Sequence, residues 1–237
     1  MFIKFSFMLR FDKPRIAAIS RQVQLERTYK FLLGLAEIHP ILGDWFLQGS
    51  SKNDALSRQV INNPQHLHDE AQRNFDADFP RWLRFSLWNG QDDPLKGGLA
   101  FSYSAHDLDS MACMRFEDGG AIISFIPDVR RASVKIIQLA LSLWPEIDWA
   151  VLAPRDHYLR NKTFKDRQTI GWIGFCPQAL KASDFPDADE LIDVPGRGTI
   201  VVSCPQVMDQ DNLEHVQRVG NIDIKLMELG YLPMFSG

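Results

Sequence analysis

His66 and His68 are the residues best suited to holding a metal: two imidazoles one residue apart, followed at once by Asp69 and Glu70. In an extended strand that spacing puts both rings on one side, where they would meet a divalent ion; in a helix it does not. The surrounding "NNPQHLHDEAQRN" reads as a loop leading into a helix, and no other spaced His/Cys pair supplies further ligands. A solvated polar segment is the simpler reading. Metal-assisted hydrolysis at a dispersed site containing His66, His68 and nearby acids is the enzymatic alternative. Cys113, Cys176 and Cys204 lie in apolar, strand-like contexts, and no serine sits in a G-x-S-x-G turn, so no nucleophile is legible beside its base. Asp209 and Asp211 in "MDQDN" suit helix capping better than proton transfer.

Gly196-Arg197-Gly198 raises the question of a phosphate loop. Such a loop needs a strand before its glycines and a helix directly after them, so that backbone N–H groups converge on the anion. Here Leu191, Ile192 and Val194 precede the glycines, and the β-branched or apolar run Thr199 to Val202 follows them. The pattern predicts a hairpin turn.

Two charge clusters remain. Asp184, Asp187, Asp189, Glu190 and Asp193 place five acids within ten residues without a base, with Phe185 among them. Arg155, Arg160, Lys162, Lys165 and Arg167 crowd the preceding loop. Either both clusters are solvated and face each other, or the acidic one docks on a basic partner by imitating the charge of a nucleic acid.

Whatever elements position these residues belong to an ordinary globular chain. Its 237 residues are 45% hydrophobic and 24% charged, with a formal net charge of −4. That balance argues against a dedicated nucleic-acid binder. Three cysteines without close spacing suit reduced thiols used for packing in the cytoplasm. The opening "MFIKFSFMLRFDKP" is interrupted by Lys4 and Arg10 and lacks a small-residue cleavage site, so export by that route is not expected. No run reaches the roughly 20 apolar residues that span a bilayer.

Phe2 to Arg10 alternates weakly and predicts an edge strand; Gln22 to Ile38 carries apolar residues at helical spacing until Pro40 stops it. Ser51 or Asn53 can cap a short helix with Leu56 and Val60 inside. "RWLRFSLWNG", "GLAFSYS", "MACMRFED" and "GAIISFIPD" read as strands of an antiparallel meander. Asp128 caps a helix presenting Val134, Ile137, Leu141 and Trp144, and "DWAVLAP" returns as a strand, which suggests a crossover unit. "GWIGFCP" and "TIVVSCP" are further strands. A last helix begins at an Asp211/Glu214 capping box, turns Leu213, Val216, Gly220, Ile224 and Met227 inward, and ends at Gly230. The expectation is one α+β domain over residues 1–237: a mixed, mostly antiparallel sheet packed with several α-helices, including long N- and C-terminal ones. Trp45 and Trp172 belong to its core. Nothing requires a cofactor, a membrane or direct nucleic-acid binding, and no heptad fixes monomer or homodimer.

The order "HPILGDWFLQGSSKNDAL", then "GWIGFCP", then "GRGTIVVSCPQVMDQDNLEHVQRVGNIDIKLMELGYLP" resembles the immunity protein 52 family of bacterial toxin–immunity systems. Trp45 with Gly49 and Ser50, the Gly171-Trp172 pair, and Asp211, Asn212 and His215 before the terminal helix carry the likeness. None of these is a catalytic motif. The resemblance implies a non-enzymatic cytoplasmic inhibitor encoded beside a secreted toxin. The toxins associated with the family are nucleases of a restriction-endonuclease-like class, such as those delivered by type VI secretion. The inhibitor would plug the toxin's active cleft or disturb its conformation or assembly. Asp184, Phe185, Asp187, Asp189, Glu190 and Asp193 are the surface expected to meet a basic cleft, on charge grounds alone. A non-catalytic adaptor without a toxin partner is the remaining alternative.

Overall fold

A computed structural model describes residues 4–117 and 119–235. Its strands are β1 (Phe5–Phe11), β2 (Phe46–Leu47), β3 (Leu83–Trp88), β4 (Ala100–Ala105), β5 (Cys113–Glu117), β6 (Ile147–Pro154), β7 (Ile173–Cys176), β8 (Glu190–Val194) and β9 (Gly198–Val202). They form one sheet in the order β2-β3-β4-β5-β1-β6-β7-β9-β8, and each neighbouring pair is antiparallel. The α-helices are α1 (Lys13–Ala17), α2 (Arg21–Ile38), α3 (Lys52–Leu56), α4 (Gln65–Arg73), α5 (Gly120–Phe125), α6 (Val129–Leu143) and α7 (Leu213–Glu228).

The α+β class and the meander β3-β4-β5 agree with the sequence pattern, but four expectations are corrected. The first strand is central: β1 pairs with β5 on one side and β6 on the other, and Phe2 and Ile3 lie outside the described residues. Its near-continuous burial follows from having a neighbour on both sides and cover on both faces there. "GAIISF" is helix α5, not a strand. Both edges of β1 are already occupied by β5 and β6, so this β-branched run has no edge to join there, and it buries Ala121 and Ile122 as helical turns instead. The connection from β5 to β6 therefore runs through α5 and α6 and passes over β1.

The third correction concerns α7, whose N-cap is Asn212: its side chain accepts from the Glu214 N–H at 3.0 Å. The buried stripe is Val219, Ile222, Asp223 and Leu226, while Leu213 is 84% exposed and Ile224 faces solvent. A carboxylate holds a core position on this helix, with Asp223 Oδ1 accepting from the Ile170 N–H at 2.8 Å. A count of apolar periodicity necessarily steps over it. In α3, Ser51 is the cap as expected, yet the helix ends at Leu56, which is exposed; Ala55 is its buried residue, and Val60 is buried beyond the helix end.

The alternation of the strands decides what each sheet face does. Phe7 and Leu9 of β1 align with Phe116 and Met114 of β5 and with Leu152 and Ala150 of β6. The helices α2 and α6 cover this face, where Phe31 meets Phe101, Phe116 and Trp144 with ring centroids 5.5–6.5 Å apart. Trp45 completes the ring cluster against Phe101 and Phe116, and its Nε1 donates to the Leu42 carbonyl. On the opposite face, the β6–β7 half is covered by residues 155–170, α7 and the chain end: Trp149 Nε1 donates to the Thr169 carbonyl and Arg10 to that of Met234. Among the described residues the β3-β4-β5 half is left uncovered, as a trough of about 820 Å³.

Candidate partner-binding surface

The acidic segment leaves the end of β7, makes a short turn at Ala182–Asp184 and becomes β8, an edge strand of the sheet. Asp184, Asp189, Glu190 and Asp193 are exposed. Phe185 is not: at 3% exposure it belongs to the core cluster, so it anchors the segment to its own protein and is no free anchor for a partner. Asp187 Oδ2 accepts from Asn221 Nδ2 of α7 at 3.2 Å, and a hollow of about 310 Å³ lies between this stretch and the helix.

The basic loop is not the partner of these acids. Arg130 of α6 pairs with Asp189 at 2.6 Å and Glu190 at 2.7 Å. Arg160 reaches Asp156, Arg167 donates to the Leu232 carbonyl, and Lys162 is buried. One cation thus offsets two of five acids. Asp184, Asp187 and Asp193 have no cationic partner among the described residues. A sheet edge with a surplus of carboxylates repels other strand edges and draws basic surfaces.

The remaining sequence candidates go elsewhere. His66 and His68 both lie in α4, two residues apart and hence about 200° around the helix. His66 is held by the Gln59 carbonyl and Asn63, and Glu70 is taken by Arg58 and Arg73. Among the described residues no group of three or more His, Cys, Asp or Glu side chains is placed to hold a metal ion. Burial pushes the thiols of Cys113 and Cys176 up to about 11 and raises that of Cys204; all three are protonated packing groups. Gly196-Arg197-Gly198 is the β8–β9 turn, with Arg197 turned onto the end of α6. Among the described residues no helix is long and apolar enough to cross a membrane.

The open trough was the feature sequence reasoning missed. Its floor comes from the outward residues of "LRFSLW", "AFSYSA" and "CMRFE": Arg84 and Ser86, Ser102 and Ser104, Arg115 and Glu117. The signal was the strict alternation of polar with aromatic or aliphatic residues, which marks a sheet half-buried on one side. The profile of a protein family described as Immunity protein 52 matches residues 20–234. No curated protein matches the chain.

Proposed function

We propose that this chain, which belongs to the immunity protein 52 family, protects its producer by binding a cognate nuclease toxin in the cytoplasm and blocking its cleft or its assembly. An immunity protein requires a complementary surface and no catalytic centre, and the family membership carries the reading. The acidic β8 edge supports the nuclease part of it. A cleft that binds nucleic acid is basic, and the unneutralised carboxylates of Asp184, Asp187 and Asp193, with Asp189 and Glu190 beside them, offer such a cleft complementary charge. Phe185 serves this surface indirectly, by fixing the segment against the core.

Co-purification with the toxin domain encoded beside this protein, followed by a nuclease assay with and without it, tests the reading. The expected outcome is a stable complex with cleavage suppressed at stoichiometric amounts. Cleavage that persists at saturating inhibitor would remove the proposal.

A further inference from the structure

The trough on the open half of the sheet has a composition unlike the acidic edge. Arg84 extends from β3 with its guanidinium 3.9 Å from the centre of the Trp82 ring. Trp82 is itself fixed, its Nε1 donating to Ser104 Oγ at 3.2 Å and its ring standing edge-on to His106 and Phe79. Most arginines of this chain are engaged by a carboxylate or a backbone carbonyl, as Arg10 is by Asp148 and Arg27 by Glu146. The Arg84 guanidinium has no hydrogen bond or ion pair among the described residues, although the Arg84 carbonyl accepts from Asn74 Nδ2. A stacked guanidinium with its donor edge free is pre-oriented for a carboxylate or phosphate.

Two strands away, Arg115 rests on Ser102 Oγ and pairs with Glu117, its side chain still 56% exposed. The register sets Arg84 opposite Ser104 and Arg115 opposite Ser102. Strand spacing and residue rise put the two arginine Cα atoms roughly 12 Å apart, close to the separation of same-side residues i and i+4 in an extended chain. Between them lie serine hydroxyls, which donate and accept; Ser86 has no partner among the described residues. Glu70 and Glu117 also line the trough. They would repel the dense charge of a nucleic acid, as would the chain's net charge of −4, but they tolerate a few carboxylates spaced along a polypeptide.

We infer that the trough is a second contact surface for the toxin, receiving an extended, carboxylate-bearing segment whose acids pair with Arg84 and Arg115 while its backbone meets the serine floor. This rests on the toxin-binding reading and adds to it a surface of opposite charge to the β8 edge. The test is calorimetric titration of the full chain with the purified toxin domain, using wild type, Arg84→Glu and Ser86→Trp. The first variant reverses the free guanidinium, and the second fills the floor without changing charge. Both are expected to weaken binding at least tenfold while keeping the wild-type far-UV circular dichroism and cooperative thermal unfolding. If wild type binds and both variants bind within twofold of it, the trough proposal fails and toxin binding stands. If wild type does not bind, the toxin reading fails and takes the trough with it. A single-stranded oligonucleotide that binds wild type but not Arg84→Glu would make the trough a nucleic-acid site and overturn the polypeptide occupant.

Discussion

His157 carries both ring nitrogens into the interior without a hydrogen-bond partner, and burial first, then the nearby Lys162 charge, depresses its pKa from 6.5 to about 4. Asp223 is the opposite case: burial pushes its carboxyl from 3.8 up to about 7 against the pull of Thr169, the Ile170 N–H and Lys162. Lys162, lowered to about 8 by burial, lies against the Phe235 ring and titrates above this range. The signs of the two effects differ. As pH falls from 6.5 to 4 the unfolded chain protonates its histidine before the folded one does, so His157 removes up to about 3 kcal/mol of stability. Over the same fall the folded state keeps the Asp223 proton that the unfolded state has lost, so Asp223 adds stability that disappears as pH rises through 7. Urea unfolding between pH 4 and 7.5 should show His157→Phe gaining on wild type toward acid and Asp223→Asn losing on it; parallel curves would refute both assignments. None of this was legible in the sequence, where His157 is a lone histidine, Lys162 one of a basic run, and Asp223 a charged residue on a helix. Their burial is set by α7 and the chain end folding back over residues 155–170. By contrast, the packing role of Cys113, Cys176 and Cys204 and the burial of Trp45 and Trp172 follow from residue type and apolar neighbours, and these were read correctly.

At the scale of elements, the β8–β9 turn shows how a motif's appearance and its work diverge. The sequence pattern correctly makes Gly196-Arg197-Gly198 a hairpin turn, and Gly198, at φ 144° with a Cβ position only 2.2 Å from the Cys176 carbonyl oxygen, admits no side chain. What the pattern does not reveal is that Arg197 donates to the carbonyls of Leu141 and Trp144 at the end of α6 and to that of Ile147 at the start of β6. A helix end leaves its last carbonyls unpaired, and here a guanidinium from a strand turn satisfies them. Arg197→Ala should therefore cost about 2 kcal/mol, the range for charged hydrogen bonds, and Arg197→Lys should recover part of it. Thermal unfolding of the three proteins would decide, and an alanine variant as stable as wild type would remove the capping role. Helices α2 and α6 were legible because apolar residues recur at helical spacing in both, ending before Pro40 in the first and beginning at the Asp128 cap in the second. The α5 segment was not, because its β-branched residues carry a strand preference that the filled edges of β1 override.

Across the whole molecule, strand order separates two surfaces that are far apart in the sheet: the acidic edge at β8 and the trough over β3, β4 and β5. Local patterning cannot yield that order, since the position of β1 at the centre depends on pairings with strands more than a hundred residues later. If one toxin domain engages both surfaces, their contributions are separable, since residues well apart with no shared partner act additively. Asp184 and Asp193 suit the edge half of the test, being exposed and outside the Arg130 pair. Asp184→Lys/Asp193→Lys should slow association about tenfold or more at low salt, with the difference shrinking as salt rises. Arg84→Glu should act mainly on dissociation, because a stacked guanidinium meeting a carboxylate on the trough floor is a short-range contact. Combined, the changes in binding free energy should sum to within about 0.5 kcal/mol. Stopped-flow association and dissociation rates at two salt concentrations measure all of this in one double-mutant cycle. A large coupling would place both surfaces against one toxin element and contradict the separation that the sheet imposes. An unchanged association rate for the edge variant would remove the charge-steering role of the β8 acids while leaving the trough contact to stand on its own rates.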